Sequence, residues 1–110
     1  MSKKIHQTKG NAFADLGLDD AEELHAKSGL VFRIAQILDE RHLTQAKAAS
    51  ILGIDQPKVA NLLRGQLDGF SIDRLFRFLN ALDCDIEIVV KPKARSAKYG
   101  KCRVKHEYTR

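Results

Sequence analysis

Residues Gln45 to Arg64 read QAKAASILGIDQPKVANLLR, and this spacing meets the packing demands of two short helices joined by a sharp turn. Helices that cross at close range need a small residue at the crossing, and Ala49 supplies it. The chain must reverse after the first helix, where Gly53 takes a positive φ without steric cost. Ala48, Leu52, Ile54, Val59 and Leu62 fall at positions that face a shared core. Asp55 is placed to cap the second helix. Pro57 fits its first turn because the earliest backbone N–H groups have no helical partner. This is the pattern of a helix-turn-helix, and it makes DNA binding the leading reading of the chain.

A helical wheel divides the second helix of the pair. Val59, Leu62 and Leu63 lie on one side; Pro57, Ala60, Asn61 and Arg64 lie opposite, and Gln56 and Lys58 project from its N-terminal tip. The polar set is what a major groove would meet. Gln56 and Asn61 each carry a donor and an acceptor and so match the edge of adenine. Lys58 reaches guanine or a phosphate, and Pro57 and Ala60 suit thymine methyls. Gln45 opens the first helix of the pair, where unpaired N–H groups and the positive end of the dipole favour a phosphate oxygen. Thr44, Lys47 and Arg64 are further phosphate candidates.

Outward from this centre the chain reads as mainly α. A helical pattern runs from about residue 21 to 41, with Leu24, Val31, Ile34, Ala35, Ile37 and Leu38 on one stripe and Asp19 or Asp20 as the cap. Ser28 and Gly29 leave open whether this is one helix or two. Thr44 caps the helix ending near Leu52, the next runs over residues 56–63, and Ser71 caps another over residues 72–82. Phe70 and Leu75 are spaced as a hydrophobic staple for that last helix. Residues 85–90, DIEIVV, change period: Ile86, Ile88 and Val90 alternate with Glu87 and Val89, the pattern of a β-strand closed by Pro92. A lone strand needs a partner for its backbone. The apolar lead-in around Phe13, Leu16 and Leu18, residues 101–108, or the same strand of a second chain could serve. Pairing across a two-fold axis suits a DNA reader, which makes Ile86, Ile88 and Val90 the candidate dimerisation residues. The chain divides into a mobile segment over residues 1–10, a helix-turn-helix domain with its strand over 11–93, and a basic tail over 94–110.

Charge is unevenly placed. The net charge is +5, but residues 29–90 hold seven Lys or Arg against eight Asp or Glu, whereas residues 91–110 hold eight against one. The central domain must therefore hold phosphates through a local patch. The tail reads in three ways: an arm adding nonspecific DNA affinity, a segment that orders on a partner, or a solubilising terminus. Val104, Tyr108 and Cys102 hint at a strand within it.

At Leu43 to Gly65 the sequence resembles the Cro/repressor, or XRE-type, helix-turn-helix family: LTQAKAASILGI and VANLLRG carry its Leu-Thr-Gln opening, central Ala, turn Gly and closing Gly. The resemblance implies that Gln45 holds a phosphate and that Gln56, Pro57, Lys58 and Asn61 face base edges, with Pro57 departing from the polar residue common there. FADLGL, the helix before LTQ, SIDRLFRFLNALDCDIEIVVKPK and the length resemble HigA-type antitoxins over about residues 11–93. That likeness implies a five-helix, lambda-repressor-like DNA-binding domain with an added C-terminal β-strand. It also implies binding of a palindromic operator in double-stranded DNA as a homodimer, and neutralisation of a RelE/HigB-like toxin. The alternatives are a stand-alone XRE-type regulator with no toxin and a protein-interaction module that has lost DNA reading.

An enzyme is not expected. His6, His25, His42 and His106 are scattered, without the spacing of a metal site, and neither a Gly-rich phosphate loop nor a Gly-x-Ser-x-Gly elbow is present. Asp19-Asp20 and Asp39-Glu40 read as helix-end surface charge. Cys84 and Cys102 lack metal-pair spacing and read as a small apolar residue and a free thiol. No catalytic residue, metal or cofactor is assigned. There is no run of about 18 apolar residues and no apolar leader, so a cytoplasmic, non-membrane protein is expected.

Overall fold

The structure, a computed structural model, describes residues 20–108. The proposed mobile segment, the lead-in residues Phe13, Leu16 and Leu18, His6 and Asp19 lie outside the described residues. Four helices follow one another: α1 (Asp20–Glu40), α2 (Gln45–Leu52), α3 (Gln56–Leu63) and α4 (Ile72–Ala81). α1 packs against α4, α2 crosses α3, and the two pairs share one core. Ile34 from α1, Ala48 from α2, Val59 and Leu62 from α3, and Leu75 from α4 are completely shielded, joined by Leu82 just beyond α4. Phe70 and Phe78 meet edge to face at 5.9 Å between ring centroids.

The caps explain the boundaries. The side chains of Thr44, Asp55 and Ser71 accept hydrogen bonds from the backbone N–H groups of Lys47, Lys58 and Arg74, starting α2, α3 and α4. All four helices end the same way. Beyond α1, Leu43 N–H donates to the Leu38 carbonyl and His42 N–H to Asp39. Ile54 with Ala49, Gln66 with Asn61, and Cys84 with Leu79 repeat the longer bond after α2, α3 and α4. This closure requires a left-handed residue at the bend. Gly53, with φ 73°, supplies it after α2, while His42 and Asp83 adopt it after α1 and α4 at φ 55° and 68° despite their side chains. Arg41 locks two of these bends together, donating to the Leu82 carbonyl at 2.8 Å and facing the Asp83 carboxylate at 3.8 Å.

In α1 one sequence expectation is corrected and one open question is settled. Leu24 does not join the buried stripe; it is exposed, and Ala26 and Leu30 occupy the core instead. Ser28 and Gly29 do not divide the helix, which is continuous for 21 residues. Gly29 has a different task. A Cβ built there would lie 2.9 Å from Val104 Cβ, so the glycine lets residue 104 seat directly on the helix. Glycine inside a helix costs about 0.5–1 kcal/mol relative to alanine, and here the close approach of the tail offsets that cost.

The five-helix count and the C-terminal strand are the larger corrections. The described residues contain four helices and no β-strand. In residues 85–90 the alternation has an effect only at Ile86, which packs half-buried against the core. Ile88, Val89 and Val90 are exposed at 69, 74 and 91%. The reason is the absence of a ladder partner among the described residues: residues 101–108 go elsewhere. After a turn in which Ala97 N–H donates to the Ala94 carbonyl, the tail runs along α1 in the same direction as the helix. Cys102 N–H donates to Glu22 Oε1 at 3.1 Å, Val104 sits over Gly29, His106 stacks 6.2 Å from Phe32, and the Tyr108 hydroxyl donates to Gln36 Oε1 at 3.1 Å. From Glu22 to Gln36 the helix rises about 21 Å, and the six peptide steps from 102 to 108 follow it only if the chain is nearly extended. Cys102, Val104 and His106 face inward while Lys101, Arg103, Lys105 and Glu107 face outward. The period of two is that of a strand, with a helix as its seat.

Candidate nucleic-acid interface

The turn between α2 and α3 aims one edge of α3 outward. Val59 and Leu62 anchor the helix in the core. Gln56, Pro57, Lys58 and Arg64 are exposed, and Ala60 and Asn61 are half-buried. Leu63, expected on the inner side, is at the margin, where it meets Ala35, Leu38, Asp39, Leu43, Thr44 and Gln45 around an open depression. That depression joins the end of α3 to the start of α2. Of the sequence-derived candidates, Thr44 and Gln45 line this depression, whereas Lys47 on α2 and Gln56, Pro57, Lys58, Ala60, Asn61 and Arg64 along α3 lie outside it.

Local electrostatics differ between the helix pairs. The first turn of α1 carries Asp20, Glu22 and Glu23, and that of α4 carries Asp73. The first turns of α2 and α3 carry no acidic residue. The unpaired N–H groups and positive dipole ends of α2 and α3 are left available to an external anion. Asp55, the α3 cap, is the nearby carboxylate; it accepts from Lys58 N–H, and its other oxygen faces Lys58 Nζ at 4.0 Å.

One feature of the surface is absent from the wheel. Arg64 Nη2 donates to Asn61 Oδ1 at 2.6 Å. The bond engages the Asn61 acceptor, leaves its amide N–H groups free, and holds the guanidinium over the outer edge of α3. Asn61 and Arg64 thus act as a pair, and their three-residue separation is the sequence signal that reveals it. Among the described residues no group of three or more His, Cys, Asp or Glu is arranged to hold a metal ion, and no helix there is long and apolar enough to cross a membrane. Cys84 and Cys102 are free thiols. Burial, and then the Glu22 carboxylate, push the Cys102 thiol up, which keeps it protonated and unreactive.

Residues 12–91 match the model of a helix-turn-helix domain family. A solved structure, named for the XRE family of transcriptional regulators, is 44% identical and superposes with a TM-score of 0.76, covering 81% of this chain and 100% of its own. The chain belongs to the XRE-type helix-turn-helix family. No curated protein matches it. The XRE-type assignment accounts for the α2–turn–α3 unit and for the core that supports it; it does not extend to a particular partner.

Proposed function

We propose that this protein is a sequence-specific DNA-binding transcriptional repressor. The observation that carries the reading is the open polar edge of α3 beside two helix first turns that carry no acidic residue, with Asp55 as the α3 cap. In this reading Gln56, Lys58 and Asn61 meet base edges in the major groove, and Pro57 and Ala60 touch thymine methyls. Thr44, Gln45, Lys47 and Arg64 fix the backbone. Arg64, tied to Asn61, couples a phosphate contact to base reading.

The protein acts as a homodimer on a palindrome, its two α3 helices entering major grooves about 34 Å apart. Ile86, Ile88 and Val90 pair across the two-fold axis. The exposed aliphatic run at Ile88, Val89 and Val90, without a ladder partner among the described residues, supports this. The finer role is that of an antitoxin to a RelE/HigB-like ribonuclease, resting on the resemblance of residues 11–93. A stand-alone regulator shares every feature of the α3 surface. Co-expression with the product of the adjacent reading frame separates the two: a stable complex establishes the antitoxin, and its absence leaves the stand-alone regulator.

The DNA reading is tested by fluorescence anisotropy with the chain's own upstream region. Gln56→Ala with Asn61→Ala should remove discrimination against random DNA, each lost bidentate contact being worth about 1–3 kcal/mol, with the circular dichroism spectrum unchanged. Full specificity in the double variant defeats the assignment of α3. No specific binding by the native chain at moderate salt leaves a protein-interaction module.

A further inference from the structure

We propose that residues 101–108, seated on α1, form a second DNA-contacting element that lays a row of cations along the phosphate backbone beyond the helix-turn-helix. The proposal rests on the DNA-binding reading above and adds a site that neither the family match nor the motif assigns. Lys101, Arg103 and Lys105 all point outward, and among the described residues none of them is in an ion pair. Alternate residues of an extended chain stand about 6.6 Å apart, close to the separation of neighbouring phosphates along one strand. The charges are held at that spacing because the intervening residues are pinned. Cys102 is held by Glu22, Val104 by the gap at Gly29, and His106 by Phe32. A loose basic arm would have no such register.

The direction of the row places it on the interface side. At Tyr108, the last described residue, the hydroxyl donates to Gln36 and the ring lies 4.5 Å from the Arg33 guanidinium. Gln36 is adjacent to Ala35 and within one turn of Asp39, and both of those line the depression shared with Thr44, Gln45 and Leu63. The cationic row therefore runs toward the N-terminus of α2, where backbone phosphates are held in the proposed complex. It also resolves the charge problem of the central domain, whose own balance is slightly acidic. Exposed Lys91, Lys93, Arg95 and Lys98 continue the positive surface upstream. Glu107 and Asp39, also exposed, are the carboxylates the phosphate chain must pass.

The test compares binding of the full chain to its upstream region and to a random duplex, from about 50 to 200 mM salt. Changing Lys101, Arg103 and Lys105 together to Gln should flatten the plot of log affinity against log salt by about 5.4 for the proposed dimer, six phosphates at roughly 0.9 each. The change should be equal on both duplexes, with specificity preserved. Gly29→Leu keeps every charge but unseats the tail, and Val104→Asn does the same from the other side; both should flatten the plot too. An unchanged slope in the triple variant overturns the proposal and leaves the α3 reading intact. A slope lowered by the charge changes but not by Gly29→Leu or Val104→Asn overturns the positioned row in favour of a loose arm. Failure of the native chain to bind either duplex removes both readings.

Discussion

Two segments follow α4, and they exchange the fates their compositions suggest. Residues 85–90 are almost entirely apolar or acidic and carry the alternation of a strand, yet their last three residues stand in solvent. Residues 101–108 are rich in charge, yet they lie along α1 with every second side chain turned inward. The difference lies in the receiving surface. Burial of apolar atoms is non-directional, but a chain segment must also find a surface of matching shape. Gly29 opens a slot for Val104, Glu22 accepts the one backbone N–H above it, and Gln36 meets the Tyr108 hydroxyl. Beyond Ile86, residues 85–90 have no comparable receptor among the described residues. In the proposed dimer a second copy of the same segment completes them.

The contrast between the segments is tested first at the proposed dimer contact. Ile88→Lys with Val90→Lys should weaken self-association by about 3 kcal/mol, the value of two aliphatic side chains leaving a buried pair. Sedimentation equilibrium would show the dimer lost by roughly a hundredfold. The monomer's melting should move by less than about 0.5 kcal/mol, because these positions are exposed. An unaltered dimer would place the two-fold contact elsewhere.

Gly29→Leu tests the other segment. Overpacking against Val104 should release the tail by about 1.4 kcal/mol or more, raising the rate of tryptic cleavage at Arg103 and Lys105 about tenfold. The helical core should at the same time melt slightly higher, since leucine favours a helix over glycine by about 0.8 kcal/mol. Opposite signs in one variant distinguish a seat built for the tail from a helix merely tolerant of glycine.

The smallest effect is a pH dependence of the seat. Burial, and then the Arg33 guanidinium, lower the His106 pKa, while its hydrogen bond with the Gly29 backbone opposes them. Phe32 and Tyr108 flank the imidazole. The released tail binds the extra proton more readily than the seated one. Seating is therefore complete above the ordinary imidazole value of about 6.5 and is lost as the pH falls through the depressed one. Hydrogen exchange of the tail amides should report this loss, and His106→Phe should remove it. Protection that rises on acidification contradicts the sign.

Much of the fold was legible because it is local. Thr44, Asp55 and Ser71 cap the nearest N–H groups, Gly53 bends the chain beside it, and Val59 and Leu62 recur at helical spacing. The bends at His42 and Asp83 were not read from the sequence: both residue types are enriched at positive φ, but far less distinctively than glycine, and the tertiary tie through Arg41 accompanies both. In the candidate interface the wheel separated the buried Val59 and Leu62 from the exposed Pro57 and Arg64 by periodicity, but put Leu63 on the inner side, where it is not. It could not show that Arg64 holds Asn61, since that depends on rotamers at the end of the helix.

The amino-acid sequence by itself determined the helix boundaries, the α2–turn–α3 unit and its polar edge, because caps, turn residues and a 3.6-residue period act within a few positions along the chain. Only the tertiary structure decided that Gly29 is a slot instead of a hinge, that residues 101–108 seat on α1, and that residues 85–90 form no strand among the described residues. Those outcomes depend on contacts between residues as far apart as Glu22 and Cys102. An alternating pattern specifies which side chains share a face; it does not specify what that face will meet.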